Sequence, residues 1–221
     1  MSQEAKVLSI IGVITAAILF AAIFFLSSGT NPNNSQSITV DPKILVKENS
    51  HKLTSASESA KVVLVEFGDY QCPACGAAHP VLKKIMEEYQ NKITFVFRNF
   101  PLPQHKNAKV AAQTAEAAGA QGKFWEMHDM LYESQDKWSE STNPMEHFLS
   151  YAKQLGLDTE KLKSEVESNK YSDVINQDLS DGNSASVNST PTFYINNVKH
   201  NGSFDYNVLK SKIDSILSSD E

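Results

Sequence analysis

Two patterns of apolar residues run along this chain, one with the spacing of strands and one with the spacing of helices. Val62 to Phe67 (Val-Val-Leu-Val-Glu-Phe) is a short, β-branched run of the kind that forms a buried strand, and Gly68 breaks it. Beyond Pro73 the apolar positions change period. Ala77, Val81, Leu82, Ile85, Met86 and Tyr89 predict a helix from about Ala74 to Tyr89, with a kink at Pro80. Ile93 to Phe97 predicts a second strand, so this part reads as a βαβ unit with a right-handed crossover. From Pro101 to about Val187 strand signals are missing. Helical stripes occur instead at Val110–Ala118, Phe124–Tyr132 and Phe148–Leu155, with shorter ones at Leu162/Val166 and Ile175/Leu179. Strand signals return at Thr192 to Asn196, and Asn196-Asn197 reads as a hairpin turn into Val198 to His200. A last amphipathic helix carries Leu209, Ile213, Ile216 and Leu217 on one face. Upstream, Lys43 to Lys47 predicts a short edge strand and Lys52 to Ser59 a loop. The plan is β-α-β, a helical block, then β-β-α: helices covering a small mixed sheet.

The N-terminus carries a different signal. Val7 to Leu26 holds twenty residues without a charge, enough for a helix to cross a hydrocarbon core of roughly 30 Å. The apolar part of a signal peptide runs only about 7–15 residues. No small-x-small cleavage pattern closes the span, since Phe24-Phe25-Leu26 leads into Ser27-Ser28-Gly29. An uncleaved anchor is therefore expected over 1–27, with a cleaved signal peptide as the alternative. Lys6 precedes the span, which by the positive-inside rule places the N-terminus in the cytoplasm and the rest of the chain outside. The polar, Gly- and Pro-containing stretch from Ser27 to Ser37 reads as a tether.

Composition narrows the remaining choices. A chain of 221 residues can build one domain with appendages around a single core. Its net charge of −6, without a basic run, argues against a nucleic-acid partner. Two cysteines allow one bridge at most and leave none for a structural disulfide.

Those two cysteines sit together as Cys72-Pro73-Ala74-Cys75, where the first strand gives way to the helix. This places Cys72 at the N-cap and Pro73 at the first helical position, where its missing N–H is harmless. The unpaired N–H groups and dipole at that end favour a negative charge, so Cys72 should ionise readily and attack as a thiolate. Cys75 lies almost a turn further in, within disulfide reach and better shielded. The site reads as a dithiol/disulfide switch. A structural zinc site needs four N/S ligands, usually from two such pairs, and there is no second pair. His79, four residues past Cys75, reads as a helix-face histidine rather than a ligand.

Element order and motif together resemble the thioredoxin fold, and the central helical block resembles the DsbA-type family of extracytoplasmic thiol–disulfide oxidoreductases. The likeness is closest to the membrane-anchored branch typified by BdbD. It rests on Phe67-Gly68-Asp69-Tyr70-Gln71-Cys72-Pro73-Ala74-Cys75, Phe97-Arg98-Asn99-Phe100-Pro101-Leu102, Phe124-Trp125 and Thr190-Pro191-Thr192-Phe193, and it covers roughly Asp41 to Leu217. The resemblance implies an α/β thioredoxin-like domain formed by 59–102 and 188–221, a helical insertion at 103–187, and a tether and lead-in segment at 28–58.

It also implies roles for three further residues. Pro191 is expected to be cis beside the sulfurs, leaving the Thr190 backbone facing the cleft to pair with an extended substrate; a trans proline opening a strand is the ordinary alternative. Glu66, inside the first strand, matches the buried acid of the family. A carboxyl beneath the helix would hold or accept the proton of Cys75, with the largest effect near and below neutral pH, and Arg98 is a candidate ion partner. Cys72, Cys75 and Glu66 are thus the expected catalytic residues, with Thr190 and Pro191 binding substrate.

By the same resemblance the substrates are reduced or unfolded exported proteins, and reoxidation falls to a quinone-linked, DsbB-like membrane protein. A monomer without cofactor or metal is expected. The Pro-Ala dipeptide departs from the Pro-His of the best-known DsbA enzymes, and potentials in this superfamily run from about −120 mV for DsbA to about −270 mV for thioredoxin. The direction of electron flow therefore stays open between oxidase and reductase or isomerase. A thiolate carrier of copper or zinc is the alternative from another class.

Overall fold

The computed structural model describes residue 15 and residues 18–22, 38–54 and 60–219. Residue 15 and residues 18–22 are helical, and most of the expected anchor over 1–27 lies outside the described residues. Among the described residues no helix is long and apolar enough to cross a membrane.

The first elements are α1 (Pro42–Leu45), β1 (His51–Thr54), β2 (Val62–Gly68), α2 (Pro73–Glu88) and β3 (Ile93–Asn99). Five helices follow: α3 (Ala108–Gly119), α4 (Phe124–Glu133), α5 (Gln135–Trp138), α6 (Pro144–Gln154) and α7 (Thr159–Glu167). Then come α8 (Ser172–Ser184), β4 (Thr192–Ile195), β5 (Val198–Lys199) and α9 (Tyr206–Ser218). The strands form one sheet in the order β1-β3-β2-β4-β5. Only β2 and β3 are parallel, as the βαβ reading requires; the other pairs are antiparallel. Asn196 and Asn197 both take positive φ, the backbone of a type I′ hairpin turn.

Two expectations upstream are corrected. Lys43 to Lys47 is not an edge strand. Asp41 accepts a hydrogen bond from the Lys43 N–H (2.9 Å) and Pro42 stands in the first turn, so an N-cap signal starts α1 there. Nor does Lys52 open a loop, because residues 51–54 pair with β3 from His51 opposite Phe97 to Thr54 opposite Thr94. A stretch so short and polar has no strand signal of its own; the free edge of β3 recruits it. The lead-in thereby joins the fold, with Val40 and Leu45 buried. The helix α2 also runs through Pro80 without a break, the proline lying on its exposed side.

Alternation along the strands sends side chains to two cores. On one face Val62 and Leu64 of β2, Ile93, Phe95 and Phe97 of β3, and Phe193 and Ile195 of β4 pack beneath α2, α9 and the helical block. On the other, Val65, Phe67, Val96 and Tyr194 meet Leu45, Phe100, Ala185 and Val187. Gly182 lets α8 approach this second face, since a Cβ there would lie 2.7 Å from the Phe100 ring. That approach brings Asp178 and Asp181 against Arg98, whose Nε and Nη2 donate to them at 2.6 Å each. Arg98 Nη1 donates to the carbonyls of Ile44 and Leu45 (2.9 and 2.8 Å), so one guanidinium ties α8 and α1 to β3.

Candidate dithiol site

Cys72 occupies the N-cap of α2, with Pro73 in the first turn. Its N–H donates to Asp69 O (3.0 Å) and its carbonyl accepts from Gly76 N–H (3.1 Å), closing a turn that delivers the sulfur to the helix end. Both cysteines are free thiols. Cys72 is 7% exposed and Cys75 1%, so the outer sulfur retains the access to solvent and the inner one faces the core.

The two sulfurs are electrostatically unlike. Cys72 is lowered to about 5, chiefly because the Cys75 thiol donates to its thiolate. Burial opposes the shift. The Thr190 side chain and the N–H groups of Cys75 and Ala74 reinforce it. The helix end thus contributes as expected, but the partner thiol contributes more. Cys75 moves the opposite way: burial raises it well above an ordinary thiol, helped by its bond to Cys72 and by the charge of Glu66.

The Thr190-Pro191 peptide is cis, and the Cys72 thiol donates to Thr190 O at 3.4 Å. The Thr190 hydroxyl is buried and, apart from the Cys72 sulfur, has no hydrogen-bond partner among the described residues. Pro191 precedes β4 and Thr190 meets the sulfur, as the resemblance implied.

Glu66 lies on the face of β2 turned toward α2, 1% exposed, and among the described residues neither carboxyl oxygen has a hydrogen-bond partner. Burial, and secondarily the charge of Cys72, raises it to about 8. The expected burial is present, but the acid keeps its proton through neutral pH. A carboxyl protonated to about 8 does not match the base expected near and below neutral pH. Gly68 makes room for this carboxyl: a Cβ there would meet the Phe97 ring at 2.5 Å and Glu66 Oε1 at 3.0 Å.

Arg98 is not the partner of Glu66. The register sets Glu66 beside Phe97 and Phe67 beside Arg98, so the arginine projects to the opposite face of the sheet. Strand alternation in the sequence already contained that answer.

Several supporting residues escaped the sequence reading. Asp69, fully buried, accepts from Gln71 N–H (2.7 Å) and, through its other oxygen, from Leu102 N–H (2.8 Å) and His105 Nδ1 (2.7 Å). Gln71 donates to Ser139 O (2.7 Å) and accepts from Asn107 N–H (2.6 Å). Gln135, at the start of α5, donates to the carbonyls of Tyr70 and Cys72 (2.7 and 2.9 Å). The helical block therefore grips the cysteine loop from outside. Asp69 two residues before Gln71 is the signal of an Asx turn; for Gln135 no local signal exists.

His79 is buried on the same face of α2 as Cys75, but its Nε2 faces Asp129 rather than the sulfurs. Among the described residues, the group of side chains that could hold a metal ion contains His79, His128 and Asp129 and neither cysteine.

Comparison with known proteins gives the same picture. The chain is 37% identical to the Na(+)/H(+) antiporter NhaA 1 of Salinispora arenicola over 160 residues, which is 72% of this chain and 24% of that protein. It thus spans about a quarter of the length of that relative. BdbD from Bacillus subtilis, in its oxidised crystal structure, superposes with a TM-score of 0.70 at 24% identity, covering 84% of this chain and all of BdbD. A thioredoxin-like oxidoreductase from Silicibacter pomeroyi gives 0.68 at 25% identity, over 81% of this chain and 99% of its own. The fold is that of the DsbA type. A family model described as Thioredoxin matches residues 48–215, and with a dithiol at the head of α2 beside a cis-proline, this chain belongs to the thioredoxin family.

Proposed function

We propose that this chain is a thiol–disulfide oxidoreductase that introduces disulfides into exported proteins, held at the membrane by the apolar segment near its N-terminus. The observation that carries the reading is the asymmetry of the two sulfurs, with an outer thiol lowered to about 5 and an inner one raised. A thiolate favoured on Cys72 stabilises the reduced enzyme, which makes its disulfide the stronger oxidant. Support for the chemistry also comes from similar solved structures, a thioredoxin-like oxidoreductase from Silicibacter pomeroyi and a thiol-disulfide exchange protein from Wolbachia pipientis. The antiporter relatives share only a minor part of their length with this chain, and the proposal takes no ion transport from them.

The steps balance as thiol–disulfide exchange. A substrate thiolate attacks Cys72 of the Cys72–Cys75 disulfide, forming a mixed disulfide and releasing Cys75 as the leaving thiolate, which takes up a proton. A second substrate thiolate then attacks the substrate sulfur, expelling Cys72 as the thiolate; the substrate leaves oxidised and the enzyme reduced. The carbonyl of Thr190, already within reach of Cys72, is suited to pair with an extended substrate strand. Glu66 acts as the proton store for Cys75. Its carboxyl holds a proton while Cys72 is charged, and loses part of that hold when Cys72 enters a mixed disulfide and its charge disappears. A quinone-linked membrane protein would return the enzyme to the disulfide.

Two measurements test this. Cys75→Ala should accumulate mixed disulfides with exported proteins through Cys72, visible on non-reducing gels and absent when Cys72 is also replaced. Trapping of cellular thiols should find the wild-type cysteines mostly oxidised. A mostly reduced pair reverses the direction to reductase or isomerase, and failure of Cys75→Ala to trap any client removes the exchange role itself.

A further inference from the structure

One cluster, two buried histidines and a half-exposed aspartate, takes no part in the dithiol chemistry. His79 on α2 and His128 and Asp129 on α4 each offer a donor atom, and these atoms lie within 4.8 Å of one another. His79 is 5% exposed, and its Nε2 has no hydrogen-bond partner among the described residues. That nitrogen lies 3.4 Å from Asp129 Oδ1, too poorly disposed for a hydrogen bond. A separation of roughly 3.3 Å is the edge of a tetrahedron of donors about 2.05 Å from a central ion. His128 shares a hydrogen bond with the Tyr70 hydroxyl through Nδ1 (3.1 Å), which fixes the ring and leaves Nε2 as its donor. Such an outer partner on the second ring nitrogen is a regular companion of metal-bound histidine. The group borders a cavity of about 330 Å³, whose apolar wall includes Leu82, Met86, Phe95 and Trp125, so an ion has an entry path and room for water.

We propose that His79, His128 and Asp129 form a binding site for a divalent transition-metal ion of the zinc class, with its open position toward the cavity. Two imidazoles and one carboxylate suit Zn²⁺ and its first-row neighbours better than Ca²⁺ or Mg²⁺, which require oxygen donors. The nearby cation does not forbid it. Lys83 lies 3.1 Å from the other oxygen of Asp129 and is also matched by Glu133 at 2.7 Å, while Glu87 and Glu126 line the same cavity. An ion held here ties α2 to α4, with His79 one helical turn from Cys75 on the same buried face. The site is separate from any metal chemistry of the thiols, and it stands or falls independently of the oxidoreductase reading.

The test uses the full chain with Cys72 and Cys75 joined as a disulfide, so that neither thiol is available as a ligand. Calorimetric titration with Zn²⁺ should find one equivalent bound, and Co²⁺ should give the visible absorption of a low-coordinate site without sulfur. Asp129→Asn and His79→Gln should each weaken binding by at least about tenfold, the loss typical of disturbing even an outer partner of a metal site. His200→Gln, outside the cluster, should leave affinity unchanged. Asp129 is half-exposed and its replacement is nearly isosteric, so this variant reads the site even if His79→Gln folds poorly. Absence of saturable binding, or parental affinity in Asp129→Asn, overturns the assignment.

Discussion

Glu66 and Arg98 are ionisable residues buried in neighbouring strands of one sheet, on opposite faces, and their surroundings could hardly differ more. Arg98 is enclosed by two aspartates and two backbone carbonyls, with its guanidinium 5.6 Å from the centre of the Phe67 ring. Burial still raises Asp178, against the lowering effect of Arg98 and the Asn99 N–H, but the group has partners throughout. Glu66 has none among the described residues, and it responds by rising to about 8. Burying an ion is costly unless it is paired and hydrogen-bonded. The satisfied cluster therefore acts as a fastener between α8, α1 and the sheet. The unsatisfied carboxyl remains neutral through pH 7, close enough to the dithiol to feel the charge of Cys72.

This contrast is broken most severely by removing the cation. Arg98→Met should cost about 3 kcal/mol in urea unfolding, because it removes the cation buried between two aspartates, even though Asp181 keeps Lys47 and Asp178 keeps the Asn99 N–H. The ionisation of Cys72, on the other face, should not move. A loss within the range of a surface substitution would mean that the fastener carries no weight.

Replacing the unpartnered acid should act in the opposite direction. The folded-state value of Glu66 is raised, so its cost to stability is absent below about 4.5, where folded and unfolded chains are both protonated. It grows as pH rises toward 8 and is constant above. Glu66→Gln should therefore gain stability relative to the parent across that window, with a pH-dependent part of order 4 kcal/mol at most. In the disulfide form, without the Cys72 charge, the gain should be smaller. Thermal unfolding from pH 4.5 to 8 checks this, and a constant offset across the range would place the carboxyl in contact with water. In the mixed-disulfide form, the rate at which Cys75 attacks the bond between Cys72 and substrate should fall in Glu66→Gln, increasingly toward pH 8.

Between the sulfurs the expected difference is kinetic. Alkylation of the reduced protein at pH 6 should label Cys72 and spare Cys75, with the rate rising about a midpoint near 5. Preferential labelling of Cys75 would reverse the roles. The smallest effect belongs to the outer clamp. Gln135→Ala removes two hydrogen bonds to the cysteine loop and should cost about 1–2 kcal/mol, with slower exchange as the loop loses its hold.

The sequence by itself determined the elements with a strong local signal. A β-branched run, a proline after a cysteine and a helical stripe placed Cys72 at the head of α2, and β2, β3, α4 and the Asn196-Asn197 hairpin followed from periodicity and turn chemistry. The resemblance then supplied Thr190, Pro191 and the burial of Glu66. Tertiary structure decided what local signals cannot carry. Residues 51–54 became a strand only because β3 offered an edge, and α5 brought Gln135 to the cysteine loop from 63 residues away. The helices also set His79 against His128 and Asp129. Electrostatics was decided at the same level. The spacing of Cys72 and Cys75 announces a dithiol, but which thiol ionises, and that Glu66 keeps its proton to about 8, depends on desolvation and on neighbours distant in sequence.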